Sequence, residues 1–281
     1  MAHFLSVAPD QWVPEISGAY VDEALTAEAV AFRIATHVPI EATKIRIPTF
    51  GGDPTSQWVE EGEDLDVTDA TLDGIDVEPK TIAVLSKVSR QFFDDQGQLS
   101  TAVLAGQGRD LGRKIDAALF GSNASNTKAP AGLRNVTGVN VIHAGGTWSN
   151  LDAFAAAKFH AETLGEQVNF YAAHPDDALG LATLKDESGS IRPVLGPDPS
   201  MPTATNIGGV PVVVSEYITT GDVWAIPSRH LHLVQRGAVA AEISHEAYFG
   251  SLSVALRSFA RIAFGFSRPA AFSRITTHSG S

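Results

Sequence analysis

The stretch Gly51-Gly52-Asp53-Pro54-Thr55-Ser56-Gln57-Trp58-Val59-Glu60-Glu61-Gly62-Glu63-Asp64-Leu65-Asp66-Val67-Thr68-Asp69-Ala70-Thr71-Leu72-Asp73-Gly74-Ile75-Asp76-Val77-Glu78-Pro79-Lys80 carries ten acids. They are Asp53, Glu60, Glu61, Glu63, Asp64, Asp66, Asp69, Asp73, Asp76 and Glu78; with Lys80 as the one base, the stretch holds −9 of the chain's −12. Its apolar residues, chiefly Trp58, Val59, Leu65, Val67, Leu72, Ile75 and Val77, are interleaved with acids at roughly strand period. So few side chains do not offset the entropy of ordering the segment, so an extended acidic hairpin of this kind needs a surface to lie on. A neighbouring copy of the chain is the expected surface.

The C-terminal end has the opposite sign. From Ala225 to Ser281, Arg229, Arg236, Arg257, Arg261, Arg268 and Arg274 stand against Glu242 and Glu246, a net +4. An acidic arm and a basic end in one chain make complementary fields that steer head-to-tail association. The plain alternative is a solvated charged surface. The extended arm tips the balance, because a monomer has little use for it.

With 281 residues, 44% hydrophobic and 19% charged, the chain can bury a large core as one domain or two interlocked ones. It has no cysteine, which rules out a disulfide framework, a thiolate zinc site and a Cys nucleophile. The start, Met1-Ala2-His3-Phe4-Leu5-Ser6-Val7-Ala8-Pro9-Asp10, has no basic leader or sustained apolar run, and no stretch reaches the roughly 18 apolar residues of a membrane span. A cytoplasmic site of synthesis with no membrane partner is expected. The acidity argues against nonspecific nucleic-acid binding as the main task.

Along the chain, Trp12-Val13-Pro14-Glu15 reads as extended, and Ala24, Leu25, Ala29, Val30, Phe32 and Ile34 suggest a short helix ending before Pro39. Strands at Lys44–Pro48 and Thr81–Ser89 bracket the acidic hairpin. Leu104, Leu111, Ile115, Ala118 and Leu119 mark one face of a helix over Leu99–Phe120, about 33 Å long. Gly106, Gly108 and Gly112 weaken that helix, so packing has to hold it. Helices at Asn150–Leu164 and Asp176–Leu184 and strands at Val168–Ala172, Val210–Ser215 and Asp222–Ile226 are expected, with alternation over Val239–Phe272. Between them, Lys185–Gly209 is a long Gly- and Pro-rich connection of the kind found at functional or contact sites.

Several local wordings recur in one family. They are Trp58-Val59-Glu60-Glu61-Gly62, Pro79-Lys80-Thr81-Ile82-Ala83-Val84-Leu85-Ser86-Lys87-Val88-Ser89 and Ala129-Pro130-Ala131-Gly132-Leu133. Leu184-Lys185-Asp186-Glu187-Ser188-Gly189, Gly208-Gly209-Val210-Pro211-Val212-Val213-Val214-Ser215 and Phe249-Gly250-Ser251-Leu252-Ser253-Val254-Ala255-Leu256-Arg257 follow. In their order, from about Gln11 to Phe272, the chain resembles the major capsid proteins of tailed double-stranded DNA bacteriophages with the HK97-type fold. The resemblance implies an α+β fold with an N-terminal arm (1–41), an extended loop and its roots (42–89), a peripheral domain with a spine helix (90–136), an axial domain (137–229) and a return to the peripheral domain (230–281). It also implies pentamers and hexamers, packaged double-stranded DNA without sequence specificity, a portal and room for a decoration protein. Because the arm begins almost at Met1, either the scaffolding protein is separate or a scaffold segment was removed.

Enzymatic readings fail on residues. No Lys follows a Gly, no Gly-x-Ser-x-Gly occurs, and Gly106-Gln107-Gly108 has Leu111 where a dinucleotide fingerprint needs glycine. Asp64-Leu65-Asp66 opens like a calcium loop, but its sixth position is Asp69 and its twelfth Ile75. His174-Pro175-Asp176-Asp177 reads as an Asp-capped helix start rather than a metal motif, and His230 and His232 lack a third ligand. No cofactor is expected. The covalent weld of some such shells, from a loop Lys to a neighbour's Asn, should be absent: the loop's one Lys is Lys80 at its root, and the last Asn is Asn206.

The expectation is a structural capsid subunit, with an encapsulin-like nanocompartment around an enzyme cargo as runner-up and a soluble α/β hydrolase as the rival of another class. Trp58, Glu60, Glu61, Glu63 and Asp64 are the candidate contacts on the loop, and Arg257 and Arg261 on the surface that receives it.

Overall fold

The computed structural model describes residues 14–52, 58, 71–91, 97–121, 128–184 and 206–278. Helices α1 (Pro14–Glu28) and α2 (Val30–Ile34) lead into strand β1 (Thr36–Ile40). The hairpin of β2 (Ile45–Gly52) and β3 (Thr71–Val77) follows, then β4 (Lys80–Ser89) and the long helix α3 (Gly97–Phe120). Next come β5 (Asn140–His143), α4 (Asp152–Thr163), β6 (Phe170–Ala173), α5 (Pro175–Ala182), β7 (Asn206–Ile207), β8 (Val210–Val214) and β9 (Asp222–Ile226). The last strands are β10 (Leu231–Arg236), β11 (Ala240–Tyr248), β12 (Ser253–Phe266) and β13 (Ser273–Thr276).

The first sheet is organised by β12. One of its edges pairs antiparallel with β4 over all ten residues from Ser253↔Ser89 to Ile262↔Lys80. Its other edge takes β11 along Ser253–Phe259 and β10 along Ile262–Phe266, so β10 and β11 run end to end. β1 adds in parallel beside β10 as an edge strand, which is why Pro39 is tolerated inside it. Along β12, Val254, Leu256, Ser258, Ala260, Ile262, Phe264 and Phe266 are buried on the face that packs against α3, at the period of two expected of a strand.

The second sheet has the order β5-β13-β9-β6-β8-β7. All five residues of β9 are buried because both faces are covered. Val223 and Ala225 pack with Phe154 and Ala157 of α4, whereas Trp224 and Ile226 join the core built on α3. The two sheets therefore share apolar packing. β13 belongs to this second sheet, between β5 and β9, so residues 273–276 depart from the expected return of 230–281 to the first unit. Ile275, fully buried with Val223 and Ala225, is what draws it across.

The arm does not start as extended chain: Pro14 and Glu15 lie in α1, and a proline in the first turn of a helix gives up no needed N–H. Trp12 and Val13 lie outside the described residues, as does most of the Lys185–Gly209 connection. Two of the three glycines of α3 explain how α1 reaches it. A Cβ on Gly108 would sit 2.5 Å from the Val21 carbonyl oxygen and 2.9 Å from Ala24 Cβ, and one on Gly112 would sit 3.1 Å from the Leu25 oxygen. The third, Gly106, faces open space, with Arg109 Nη2 the nearest atom at 3.8 Å.

One turn beyond Gly112, the buried carboxylate of Asp116 accepts hydrogen bonds from Val30 N and Ala31 N, both at 2.9 Å. Ala29 offers α2 no capping side chain, so α3 caps its neighbour's N-terminus from outside. Burial pushes the Asp116 carboxyl up from an ordinary 3.8 to about 6, against the pull of the two amides. Gln107, also buried, donates to Leu256 O at 3.1 Å and Ser86 Oγ at 2.9 Å and accepts from Ser258 Oγ at 2.6 Å, tying α3 to β12 and β4.

Glycine substitutions two residues apart should therefore have opposite signs in urea unfolding. Gly106→Ala should stabilise the subunit by roughly 0.5–1 kcal/mol through helix propensity, and Gly108→Ala should destabilise it by roughly 1–3 kcal/mol by pushing α1 away. A second expectation concerns pH. Since the folded pKa of Asp116 lies above its unfolded value, the folded state binds more protons between about 4 and 6. Its contribution is largest below that window and is lost as pH rises through it. Unfolding free energy should gain about 1 kcal/mol from this group between pH 7 and pH 5, a gain that Asp116→Asn should remove.

Candidate assembly interface

Among the described residues, the face of the first sheet opposite α3 is covered at one end only. There Ile47 and Val77, at the root of the β2–β3 hairpin, pack on Val234 and Ala263. The approach needs Gly265, where a Cβ would stand 2.8 Å from Ile47 Cδ1 and 3.1 Å from Val77 Cγ2. Lys44 pairs with Asp76 at 2.7 Å and Arg46 with Asp73 at 3.7 Å, so β2 partly neutralises the acids nearest the root. The hydrogen bond and charge of Lys44 hold the Asp76 carboxyl below its ordinary range.

Among the described residues the rest of that face is open. Directly paired residues share a face, which places Thr81, Ala83 and Leu85 of β4 beside Arg261, Phe259 and Arg257 of β12. Leu85 is 58% exposed in the middle of this surface. Both guanidinium groups lie over the Phe259 ring, Arg261 at 5.6 Å and Arg257 at 5.8 Å from its centroid, and Lys87 lies over Tyr248 at 5.0 Å. The two arginines differ in one respect. Arg257 is already paired with Glu242, its cross-strand neighbour on β11, while Arg261 has no carboxylate partner among the described residues. The sequence carries no local signal for this difference, which depends on the register of β11 against β12.

Trp58 is fully exposed. Glu60, Glu61, Glu63 and Asp64 lie outside the described residues.

The histidine and aspartate motifs have structural uses. His230 Nδ1 and His232 Nε2 converge on Ser267 Oγ at 2.8 and 3.2 Å. His230 Nε2 also stands 2.9 Å from Glu166 Oε1, which accepts from Arg268 at 3.0 Å. Burial would raise the Glu166 carboxyl, but His230 and Arg268 outweigh it and hold it low, while burial lowers His232. The cap of α5 is the His174 ring, which accepts from Asp176 N at 3.2 Å, rather than the Asp expected. Asp177 is buried and accepts from Trp148 Nε1 and Gly221 N, each at 2.7 Å. Among the described residues no group of three His, Cys, Asp or Glu could hold a metal ion, and no helix is long and apolar enough to cross a membrane.

An α+β subunit with a rooted acidic hairpin, a spine helix and an open basic sheet face is built as a shell protein. The sequence model of the Phage capsid family matches residues 8–277, and the chain belongs to that family. No curated relative matches it. Among solved structures it is similar to a capsid of an empty GTA particle computed with C5 symmetry, at 17% identity and a TM-score of 0.74, with 90% of each chain covered. A chain from Microbacterium phage Oxtober96 matches at 21% identity and a TM-score of 0.69, covering 89% of this chain and 91% of that one. One from Gordonia phage Cozz matches at 14% and 0.70, covering 99% and 92%. The fold is of the HK97 type. The protein is a major capsid protein, a structural component of a virion shell, and the encapsulin-like alternative is not favoured.

Proposed function

We propose that copies of this chain assemble as pentamers and hexamers into an icosahedral shell around phage double-stranded DNA, each copy laying its acidic loop on the basic sheet face of the next. The observation that carries the reading is the open face bearing Arg261, on the same side of the sheet as the hairpin root. The C5 symmetry of the similar GTA capsid supports five-fold rings. In this reading 1–41 is the arm, 42–89 the loop with its roots, 90–136 with most of 230–281 the peripheral domain, and 137–229 the axial domain. Assembly takes place in the host cytoplasm, with a scaffold and a portal, and a decoration protein can bind outside. The subunit has no catalytic task.

Each loop contact is weak. An exposed ion pair contributes up to about 1 kcal/mol, roughly fivefold in an association constant, and a closed shell gains from repeating it in every copy. Reversing Glu60 and Glu61 to Lys should leave a folded subunit, by circular dichroism, that builds no closed shells in electron micrographs. Arg261→Glu should impair shells more than Arg257→Glu, because Arg257 is already shared with Glu242. Either Arg→Glu change should partly restore the charge-reversed loop. Normal shells from the Glu60, Glu61 double reversal would mean that the acidic loop is only solvated.

The placement of Lys80 and Asn206 predicts uncrosslinked shells. Mature particles should run as the monomer on a denaturing gel, and a ladder of covalent multimers would contradict this.

A further inference from the structure

β4 is an unprotected edge. Among the described residues it pairs with β12 alone. Arg90 N donates to Leu252 O at 2.9 Å, which sets the phase of the antiparallel ladder. Even-numbered residues from Lys80 to Val88 therefore bond to β12, and Thr81, Ala83, Leu85, Lys87 and Ser89 direct their N–H and C=O groups away from it. Ten residues without a proline or bulge make a ready template for another strand, and edges of this kind are normally blunted.

Behind this edge, between β4 and α3, lies a groove of about 440 Å³. Leu111, Ile115, Ile262 and Phe264 line it, and Lys80 and Lys114 are among its charged residues, with Asp110 as the one carboxylate. In front of the edge stand Lys87, Arg257 and Arg261. Two β4 edges pairing with each other would bring like charges together, so the fitting partner is extended, acidic and carries an aromatic anchor. Residues 53–70 have this composition, with Trp58, Glu60, Glu61, Glu63 and Asp64 among them. The seven residues of β3 put Thr71 about 23 Å along the strand from Val77 at the root, which gives the loop a reach beyond its own subunit.

We propose that the acidic loop of a second copy adds to the edge of β4 as an extra strand and seats Trp58 in the groove behind it. The proposal rests on the assembly reading above and adds the mode of contact: backbone hydrogen bonds along Thr81–Ser89 hold the strand, and the lysines select an acidic one. The nine residues from Thr81 to Ser89 span about 30 Å, which about half of an 18-residue loop can cover.

Proline distinguishes backbone pairing from side-chain attraction. Ala83→Pro removes an outward N–H that the subunit's own sheet does not use, whereas Val84→Pro breaks the bond to β12 and should unfold the chain. Ala83→Pro should keep the wild-type circular dichroism and urea midpoint while shell yield falls roughly tenfold or more. If it folds and gives wild-type shells, strand addition is overturned while the assembly reading stands, since that reading fails only if the Glu60, Glu61 reversal is harmless. Crosslinking decides the matter even if Ala83→Pro does not fold, because the chain has no native cysteine. Ser56, two residues before Trp58, shares its face of an added strand, so oxidised shells carrying Ser56→Cys with Ala117→Cys, which lines the groove, should give covalent multimers on a non-reducing gel. Ser56→Cys with Ser244→Cys on the open face should stay monomeric, and the reverse pattern overturns the proposal.

Discussion

Everything in the first unit hangs on β12 being bonded along most of both edges. A strand of 14 residues with one partner would leave a row of backbone groups to water, and its buried face could not hold register against a helix. β4 satisfies one edge from Ser253 to Ile262, and the end-to-end pair β10 and β11 satisfies most of the other. With register set, even-numbered side chains meet α3 and odd-numbered ones face outward. The same strand thus supplies the core and the surface where Arg257, Phe259 and Arg261 are displayed. The division of labour follows from the period of two, without any special loop.

The arm and the hairpin are attached to this frame by close approach as well as by apolar burial. α1 lies against α3 because Gly108 and Gly112 have no Cβ, and the hairpin root lies on β12 because Gly265 has none. A helix rich in glycine is weak alone, so the approach it permits must return more than the propensity it gives up. Asp116 adds direction: only one rotation of α3 presents its carboxylate to both amides of α2. Placing a charge in the core is unfavourable at neutral pH, but an uncapped helix start buried there would leave two amides unpaired.

How much of this could be read beforehand depended on range. The period of the spine helix, the strands around β8 and β9 and the bracketing of the hairpin were visible, because each is a local pattern. The resemblance of ordered motifs carried the family. The cap from Asp116 to α2 joins residues 85 apart and has no local signature. The capping ring of His174 escaped because aspartates are the commoner caps and two of them follow. The start of α1 was misread because Pro14 signals extended chain as readily as a first turn. The crossing of β13 was hidden for another reason: alternating apolar residues show that a strand exists and say nothing about which sheet accepts it. In the site, Arg257 and Arg261 were found on the open face, yet their inequality emerged only with the register that sets Glu242 opposite Arg257.

Sign and placement of charge suggest why the subunit is built asymmetrically. A chain of net charge −12 repels its copies, and at physiological salt that repulsion fades beyond about 8 Å. Contacts within a few ångströms are screened far less. Concentrating most of the negative charge in one loop, and leaving cations on the sheet face and around the edge of β4, makes the contact between loop and face attractive at the short range where screening is weak. A uniformly acidic surface would have only the repulsion. A neutral one would keep the open edge of β4 without a charge to select its partner, and an edge that pairs with any strand aggregates rather than closes a shell.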